Sequence, residues 1–358
     1  MKQLASLQAL RAVAALMVVF FHLSIALMND YHVTSFDIFP TGSNGVDIFF
    51  VLSGFIMCYT TERLDQRSGV EFAVKRLVRI LPLYWGLTIL LYLIASFAPT
   101  LLGSTQASPE ALWKSLAFIP YVTPADGKVH PLLILGWTLN YEMFFYAVFT
   151  VCLLLVPRRR ITAVIAVLLV CRLAGFLVDW KQPEIAFYTG RLYGTQLEFV
   201  WGCLVFVLFQ YRPQWVKAMA PLGLVGFALI LAQNWFPNIT ITREFKVGLP
   251  AALVVIGTLG WEMKTGRIRD FMVRLGDASY SLYLGHPYVV EVVTRLAIVA
   301  LGASVAGAIV GVTATIVITA ILSLLSFRLF EKPTNDWLRN RILGRKPKAP
   351  AVGASQSA

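Results

Sequence analysis

Charged side chains are scarce in this 358-residue chain: only 14% of its residues are Asp, Glu, Lys or Arg, whereas 58% are apolar. Soluble domains average about 25% charged residues and about 45–50% apolar ones. The deficit excludes an ordinary water-soluble domain, because long apolar stretches of this kind need lipid around them. An all-helical protein is expected, since lipid offers no partners to the open backbone groups of other structures.

Cysteine is also scarce, and its placement excludes two site classes. The four residues, Cys58, Cys152, Cys171 and Cys203, lie in apolar stretches without a short paired spacing. That pattern argues against a disulfide framework or a zinc site and favours small core residues. The sequence contains no His-x-x-x-His or Cys-x-x-Cys pair, and no Gly-rich loop with a following Lys. We therefore predict no metal site and no nucleotide hydrolysis.

Repeated apolar stretches predict an all-α polytopic membrane protein of about ten transmembrane helices. The predicted spans are 5–27, 44–61, 80–98, 133–156, 161–178, 194–210, 217–233, 245–261, 279–299 and 304–327. The last two share one uncharged run from Leu296 to Phe327, in which Gly302 is the predicted turn. We expect one transmembrane domain over 1–335, followed over 336–358 by a basic, disordered cytoplasmic tail.

The distribution of Lys and Arg predicts the orientation of these helices. With the N-terminus in the cytoplasm, 22 of the 31 basic residues fall on the inner side, six fall outside and three lie within spans. The positive-inside rule then places both termini inside, in a multi-pass protein of the cell inner membrane. The net charge of +12 is on this reading a topology signal with membrane lipid as its partner, and it does not indicate nucleic acid.

Two polar residues of the first span stand out, because such residues are costly at membrane depth and are functional candidates there. Arg11 and His22 are eleven residues apart, which returns them to nearly the same helix face about 16 Å apart. That length is similar to the pantetheine arm of coenzyme A, so we expect Arg11 and His22 to line one continuous passage through the bilayer. The alternatives are that Arg11 extends to lipid headgroups and that His22 caps an outer interface.

The next two segments carry one acidic and three basic candidates. Asp47 is expected near the outer end of the second span, where it can orient His22 or a substrate hydroxyl, or can be a simple interfacial residue. Ser53 and the following glycine allow close helix packing. Three further candidates stand at the inner mouth: Lys75, Arg76 and Arg79. Paired arginines suit phosphate groups, although ordinary positive-inside charge is the favoured account when the pair is taken alone.

The fourth and ninth spans supply the remaining candidates. Glu142 stands in an apolar helix with Asn140 nearby and Tyr146 one turn on, so it belongs to a reaction centre or to an ion pair with Arg11 or Arg172. In the ninth span a shared face is predicted for three residues, Ser279, Tyr283 and His286. We take Ser53, Asn140, Tyr146, Ser279, Tyr283 and His286 as acceptor-side or structural candidates.

The order of these motifs resembles the membrane acyltransferase-3 family. The resemblance is carried by Arg11 with His22, by Gly-Val-Asp-Ile-Phe-Phe-Val-Leu-Ser-Gly-Phe from Gly45, by the basic cluster, by Trp-Thr-Leu before Glu142, and by Ser-Tyr-Ser-Leu-Tyr-Leu before His286. It extends to the Glu-Lys-Pro at residue 331 and thus covers nearly the whole chain. The short chain is most similar to the exopolysaccharide and O-antigen O-acetyltransferase branch.

The resemblance implies transfer of an acyl group, often acetyl, from cytoplasmic acyl-coenzyme A to a sugar hydroxyl. It implies that His22 is catalytic and that Glu142 is the acidic residue of the fourth-span motif, and we expect Asp47 or Glu142 to orient the imidazole. It also implies that Arg11, Arg76 and Arg79 engage coenzyme A, with Lys75 where relatives often have Arg. Acyl-coenzyme A is then a co-substrate, no cofactor is bound permanently, and the acceptor is a glycan or lipid-linked oligosaccharide.

Two other functions fit polar residues at membrane depth. A transporter or flippase for a small solute or lipid is the first, although the paired broken helices of related halves that it predicts are not found in the sequence. The second is an acyltransferase with another acceptor, such as a macrolide or a peptidoglycan sugar. Residue chemistry does not separate the acceptors.

Overall fold

The structure of the chain is a computed structural model that describes residues 4–30, 40–62, 68–98, 108–124, 126–233, 241–261 and 263–344. Within these ranges the fold is helical, and the one extended contact is an isolated bridge between Val122 and Val129. The all-α prediction is confirmed.

Fifteen α-helices occur in the described ranges. In chain order they are α1 (Ala5–Asp30), α2 (Gly45–Thr61), α3 (Gly69–Phe97), α4 (Pro109–Leu116), α5 (Gly136–Leu155), α6 (Arg160–Leu177), α7 (Pro183–Tyr188), α8 (Gln196–Tyr211), α9 (Pro213–Ala218), α10 (Leu222–Ala232), α11 (Leu249–Gly260), α12 (Arg267–Asp277), α13 (Ser279–Leu301), α14 (Val305–Ser326) and α15 (Lys332–Ile342). Short π-helical segments, Glu244–Gly248 and Phe327–Glu331, precede α11 and α15.

Seven helical segments of the described ranges are long and apolar enough to cross a bilayer. They are Ala5–Met28, Pro40–Thr61, Gly69–Phe97, Gly136–Leu155, Pro157–Leu177, Ser279–Leu301 and Val305–Ile342. Each of the ten predicted spans contains a helix, but α8, α10 and α11 have only 16, 11 and 12 residues. A full bilayer crossing takes about 20 residues. The multi-pass character therefore stands, while the count of ten and the side of the termini stay predictions.

The turn predicted at Gly302 is confirmed. Gly302 has φ of 71°, and it separates α13 from α14. Glycine adopts this left-handed conformation without the steric penalty of a side chain. The uncharged run is thus split into two helices that pack along each other.

Close packing of α2 on α8 forms the centre of the bundle. A Cβ atom on Gly54 would lie 2.3 Å from the carbonyl oxygen of Phe199, and one on Gly202 would lie 2.1 Å from that of Val51. Both glycines therefore permit backbone contact between the two helices, as the small residues of membrane helices do. The close approach predicted beside Ser53 is confirmed.

The second helix begins beside the middle of the first. A Cβ atom on Gly45 would lie 2.3 Å from the carbonyl oxygen of Ala14. A buried 3-10 turn, Pro40–Asn44, leads into α2, and Asn44 Nδ2 donates to Gln233 Oε1 at 3.0 Å. Asp47 therefore lies in the first turn of α2, at the end of the span where the sequence placed it, and this turn packs beside the middle of α1.

The C-terminal part stays helical beyond the predicted domain boundary. The chain passes from α14 through Phe327–Glu331 into α15, which ends at Ile342. The boundary at 335 therefore falls inside a helix. The rest of the tail, from 345 onward, lies outside the described residues, as do 99–107 of the long proline-containing loop.

Candidate active site

A cavity of about 730 Å³ opens where five helices meet: α1, α2, α3, α5 and α13. Its polar lining consists of Arg11, Ser53, Arg76, Arg79, Thr138, Glu142, Tyr146, Ser279, Tyr280 and Tyr283. Its apolar lining consists of Val46, Phe49, Phe50, Leu52, Ile56, Met57, Ile80 and Leu139. A largely apolar pocket with a few convergent polar groups is the usual form of a small-molecule site.

Arginine dominates the charge of the cavity. Its lining holds three guanidinium groups and one carboxylate, which gives a formal charge of +2. Arg11 is 8% exposed and donates to Gln8 Oε1 at 3.3 Å. Arg76 lies over the ring of Phe72, 5.5 Å from its centroid, and reaches Thr60 Oγ1 at 3.4 Å. A surplus of cations in such a space favours an anionic ligand.

A buried carboxylate, Glu331, partly balances this charge and was not among the predicted site residues. It interacts electrostatically with Arg11 and Arg79, and its Oε2 accepts a hydrogen bond from Ser281 Oγ at 2.7 Å. The signal was present in the sequence as an acidic residue that follows the last long apolar run. Glu331 thereby connects the π-helical segment Phe327–Glu331 to α13 and to the arginines of the cavity.

Glu142 is the single carboxylate in the lining of the cavity. Its Oε1 accepts hydrogen bonds from Ser53 Oγ at 3.0 Å and from the hydroxyl of Tyr146. The alternative of an ion pair with Arg172 is wrong, because Arg172 pairs with Glu244 instead. Ser53, Glu142 and Tyr146 thus form one hydrogen-bonded group. The sequence predicted that Glu142 and Tyr146, four residues apart on α5, would face the same way.

Lys75 does not share the surroundings of its neighbours in sequence. Its ammonium group pairs with Glu71 Oε1 at 2.6 Å, one helical turn away, and it is not among the residues that line the cavity. The placement of Lys75 with the coenzyme A ligands is therefore not supported. Helical geometry explains this, since adjacent residues of a helix point about 100° apart.

His22 and His286 form the second polar centre. His22 Nδ1 lies 2.9 Å from the carbonyl oxygen of Val18 and 3.1 Å from His286 Nε2. His286 is fully buried, and its Nδ1 lies 3.2 Å from the carbonyl oxygen of Leu282. The partner of the His22 imidazole is therefore a second imidazole, where the sequence had suggested a carboxylate.

His22 is not among the residues that line the cavity, whereas Arg11 is. The expectation that both line one continuous passage is not met in this structure. Tyr283 contacts both regions: its ring centroid lies 6.0 Å from that of Phe49, which also lines the cavity, and 6.3 Å from that of His286. The histidine pair is thus connected to the cavity wall through Tyr283.

The carboxylate of Asp47 pairs with a basic residue that the sequence did not single out. Arg243 donates two hydrogen bonds to its carboxylate, at 2.9 and 2.7 Å, and Asp47 is fully buried. A second carboxyl, that of Glu198, is buried beside this pair. Gly45, two residues before Asp47, contacts Ala14, which lies two turns of α1 before His22. Asp47 therefore does not orient His22 in this structure.

The remaining candidates divide between the cavity and the core. Ser279 and Tyr283 both line the cavity, and the Tyr283 hydroxyl lies 3.0 Å from Thr138 Oγ1. His286 extends the same face toward His22, so the shared face predicted on α13 is confirmed. Asn140 is 1% exposed, outside the cavity lining, and its Oδ1 has no hydrogen-bond partner among the described residues.

Similarity to known proteins extends over most of the chain. The sequence profile described as an acyltransferase domain, of the acyltransferase-3 type, matches residues 4–327. The exopolysaccharide production protein ExoZ of Rhizobium meliloti (strain 1021) is 33% identical over 302 residues, which cover 82% of this chain and 90% of that protein.

Two further relatives are more distant. The acyltransferase MdmB of Streptomyces mycarofaciens is 27% identical over 285 residues, 71% of this chain and 70% of its own. The putative membrane-bound transacylase BcsY of Komagataeibacter xylinus is 25% identical over 316 residues, 83% of this chain and 77% of its own. No solved structure matches the chain.

Proposed function

The chain belongs to the acyltransferase-3 family, and we propose that it transfers an acyl group, acetyl in the first instance, from acyl-coenzyme A to a sugar hydroxyl of an exopolysaccharide or related glycan. The choice of acceptor follows the relative ExoZ, an exopolysaccharide production protein whose similarity covers most of the chain. The protein would do this within the cell inner membrane, with its basic loops and both termini in the cytoplasm.

One observation carries the proposal: the arginine-lined cavity extends to Tyr283, whose ring lies 6.3 Å from that of His286, the hydrogen-bonding partner of His22. Arg76 and Arg79 are suited to the phosphates of coenzyme A, because guanidinium groups bind phosphate oxygens in pairs. Arg11 lies deeper on α1, and His22 follows about 16 Å further along the same helix. A pantetheine arm of that length would bring the thioester to the Phe49 and Tyr283 rings.

Acyl transfer to a sugar hydroxyl beside Tyr283 needs a group that activates the alcohol. In the proposed reaction the sugar hydroxyl attacks the thioester carbonyl, His22 takes the hydroxyl proton, and the thiolate of coenzyme A leaves and regains that proton. A variant has His22 carry the acyl group before the sugar receives it. Both variants use the unprotonated ring nitrogen of His22, and both need Phe49 or Tyr283 to let the thioester reach it.

Glu142 would act on the donor side of this site. Its carboxylate holds Ser53 and Tyr146 and faces the arginines across the cavity. It would balance the arginine charge before coenzyme A binds and limit the mutual repulsion of those groups. No comparable observation favours the transporter alternative. A fixed cluster of cations with an imidazole pair nearby suits transfer of a group from an anionic donor better than transport of a solute or lipid.

Mass spectrometry of surface glycans tests the proposal. Cells with the gene, without it, and with the His22→Ala variant would be compared after confirming equal amounts of membrane-inserted protein. We expect one acyl increment per modified sugar in the first case and its loss in the other two. Acyl groups that persist at the normal level in cells without the gene would contradict the proposed function.

A further inference from the structure

The contacts of His286 fix where its proton lies. Its Nδ1 is 3.2 Å from the carbonyl oxygen of Leu282, one turn earlier on α13. A carbonyl oxygen only accepts hydrogen bonds, so Nδ1 carries the hydrogen. His286 is fully buried, where an uncharged imidazole is strongly favoured over a charged one. Its Nε2 is therefore left with a lone pair, and that lone pair faces His22.

The same reasoning applies to His22. Its Nδ1 is 2.9 Å from the carbonyl oxygen of Val18 and 3.1 Å from His286 Nε2. Both partners are acceptors, so the hydrogen of neutral His22 lies on Nδ1 and is shared between them. The lone pair of the neutral ring then lies on Nε2, the nitrogen that points away from both contacts.

We propose that His286 is a positioning residue for His22: it fixes the Nδ1–H tautomer and the ring plane of His22, so that His22 Nε2 is the nitrogen that receives the acceptor's proton. This inference rests on the proposed function, in which His22 activates the sugar hydroxyl. The Val18 carbonyl lies on the same helix as His22, so alone it leaves the ring free to tilt about one contact. The second acceptor comes from another helix and removes that freedom.

The pair also accommodates the charge that forms during the reaction. When the sugar oxygen bonds to the acyl carbon, its proton moves to His22 Nε2 and His22 becomes an imidazolium. The Nδ1–H bond to His286 Nε2 then becomes charge-assisted and strengthens. When the carbon–sulfur bond breaks, the thiolate takes the proton from Nε2 and His22 is neutral again. His286 thus performs without a net charge the function that a carboxylate performs in other bases of this kind.

Three variants in purified, lipid-reconstituted protein test the inference. His286→Phe keeps the ring volume but removes the acceptor, and His286→Gln offers an amide oxygen at a similar reach. Tyr288→Phe on the same helix is the control, since it removes only a hydrogen bond to the carbonyl oxygen of Leu87. We expect His286→Phe to lower kcat about 100-fold with an unchanged KM for acyl-coenzyme A. His286→Gln should recover part of kcat, and Tyr288→Phe should match the wild type.

Nitrogen-15 NMR of histidine-labelled protein provides a readout that does not depend on activity. The wild type should show His22 protonated on Nδ1 and unprotonated on Nε2, and His286→Phe should show a mixture of tautomers. A wild-type His22 with its proton on Nε2, or a folded His286→Phe protein with wild-type kcat, would overturn the inference. If the wild type transfers no acyl group at all, the proposed function fails. The tautomer measurement still decides whether His22 donates a hydrogen bond from Nδ1 to His286 Nε2.

Discussion

Lys75 and Arg76 are adjacent on α3, but only the Arg76 side chain reaches the cavity. Arg76 lines the cavity together with Arg79, three residues further on, while Lys75 pairs with Glu71 on another side of the helix. Residues three apart on a helix lie on nearly the same face, whereas adjacent ones do not. This relationship separates the proposed coenzyme A ligands, Arg76 and Arg79, from ordinary surface charge.

The Arg76→Ala and Lys75→Ala variants form a matched pair. We expect Arg76→Ala to raise the KM for acyl-coenzyme A about 10- to 100-fold, because a charge-assisted hydrogen bond to phosphate contributes about 1.5–3 kcal/mol. Lys75→Ala should leave KM within about twofold of the wild type, since its ion pair is half-exposed and contributes little. Steady-state kinetics on reconstituted protein checks both. Equal effects from the two variants would remove the distinction.

Glu142→Gln tests the charge of the carboxylate and leaves its shape intact. The glutamine retains an Oε1 that can accept from Ser53 and Tyr146, but it loses the counter-charge to the arginines. We expect kcat to fall about tenfold, which corresponds to the weakening of one charge-assisted bond, while KM for acyl-coenzyme A does not rise. Ser53→Ala, which removes one donor, should have the smaller effect. A raised KM with normal kcat would make Glu142 a binding group only.

The contact between α2 and α8 predicts a large difference between two glycine substitutions. Gly54→Ala places a methyl group within 2.3 Å of the Phe199 carbonyl oxygen, whereas a Cβ at Gly86 on α3 meets nothing within 4 Å. Overpacking costs about 1–3 kcal/mol, and an exposed helical Gly→Ala change gains up to about 1 kcal/mol. Thermal unfolding in detergent should therefore show a lowered Tm for Gly54→Ala and an equal or higher one for Gly86→Ala.

The pair of Asp47 and Arg243 is expected to be structural. Arg243→Gln leaves the buried carboxylate of Asp47 without its partner, which typically costs about 3–5 kcal/mol. Adding Asp47→Asn removes that unpaired charge and should recover part of the lost stability. The temperature midpoints of the single and double variants, measured in the same detergent, give the comparison. A double variant that is less stable than Arg243→Gln would contradict the assignment.

Much of the fold and the donor side of the site could be predicted from the sequence, because membrane helices follow from local composition. The helices, the turn at Gly302 and the facing of Ser279, Tyr283 and His286 depend on chain periodicity alone. One cavity collects the polar residues Arg11, Arg76, Arg79 and Glu142. Polar side chains at membrane depth face the interior of a helix bundle and pair there, because exposure to lipid is costly.

The partners of these residues could not be predicted in the same way. His22 with His286 and Asp47 with Arg243 are contacts across 264 and 196 residues, which no local pattern specifies. Asp47 lies in the first turn of α2 as expected, but its carboxylate binds Arg243 and not His22, and no pattern in the sequence indicated this partner. Lys75 was grouped with the arginines by its charge and by the family resemblance, although its position on α3 turns it away from them.

Transfer of isotope-labelled acetyl from acetyl-coenzyme A to glycan acceptor by purified protein in lipid nanodiscs is the most direct measurement. Wild-type and His22→Ala proteins of equal yield and thermal stability would be compared by mass spectrometry of the glycan. We predict label in ester linkage to the sugar with the wild type and at least a 100-fold lower rate with His22→Ala. A folded His22→Ala protein that labels the glycan at the wild-type rate would contradict the proposal.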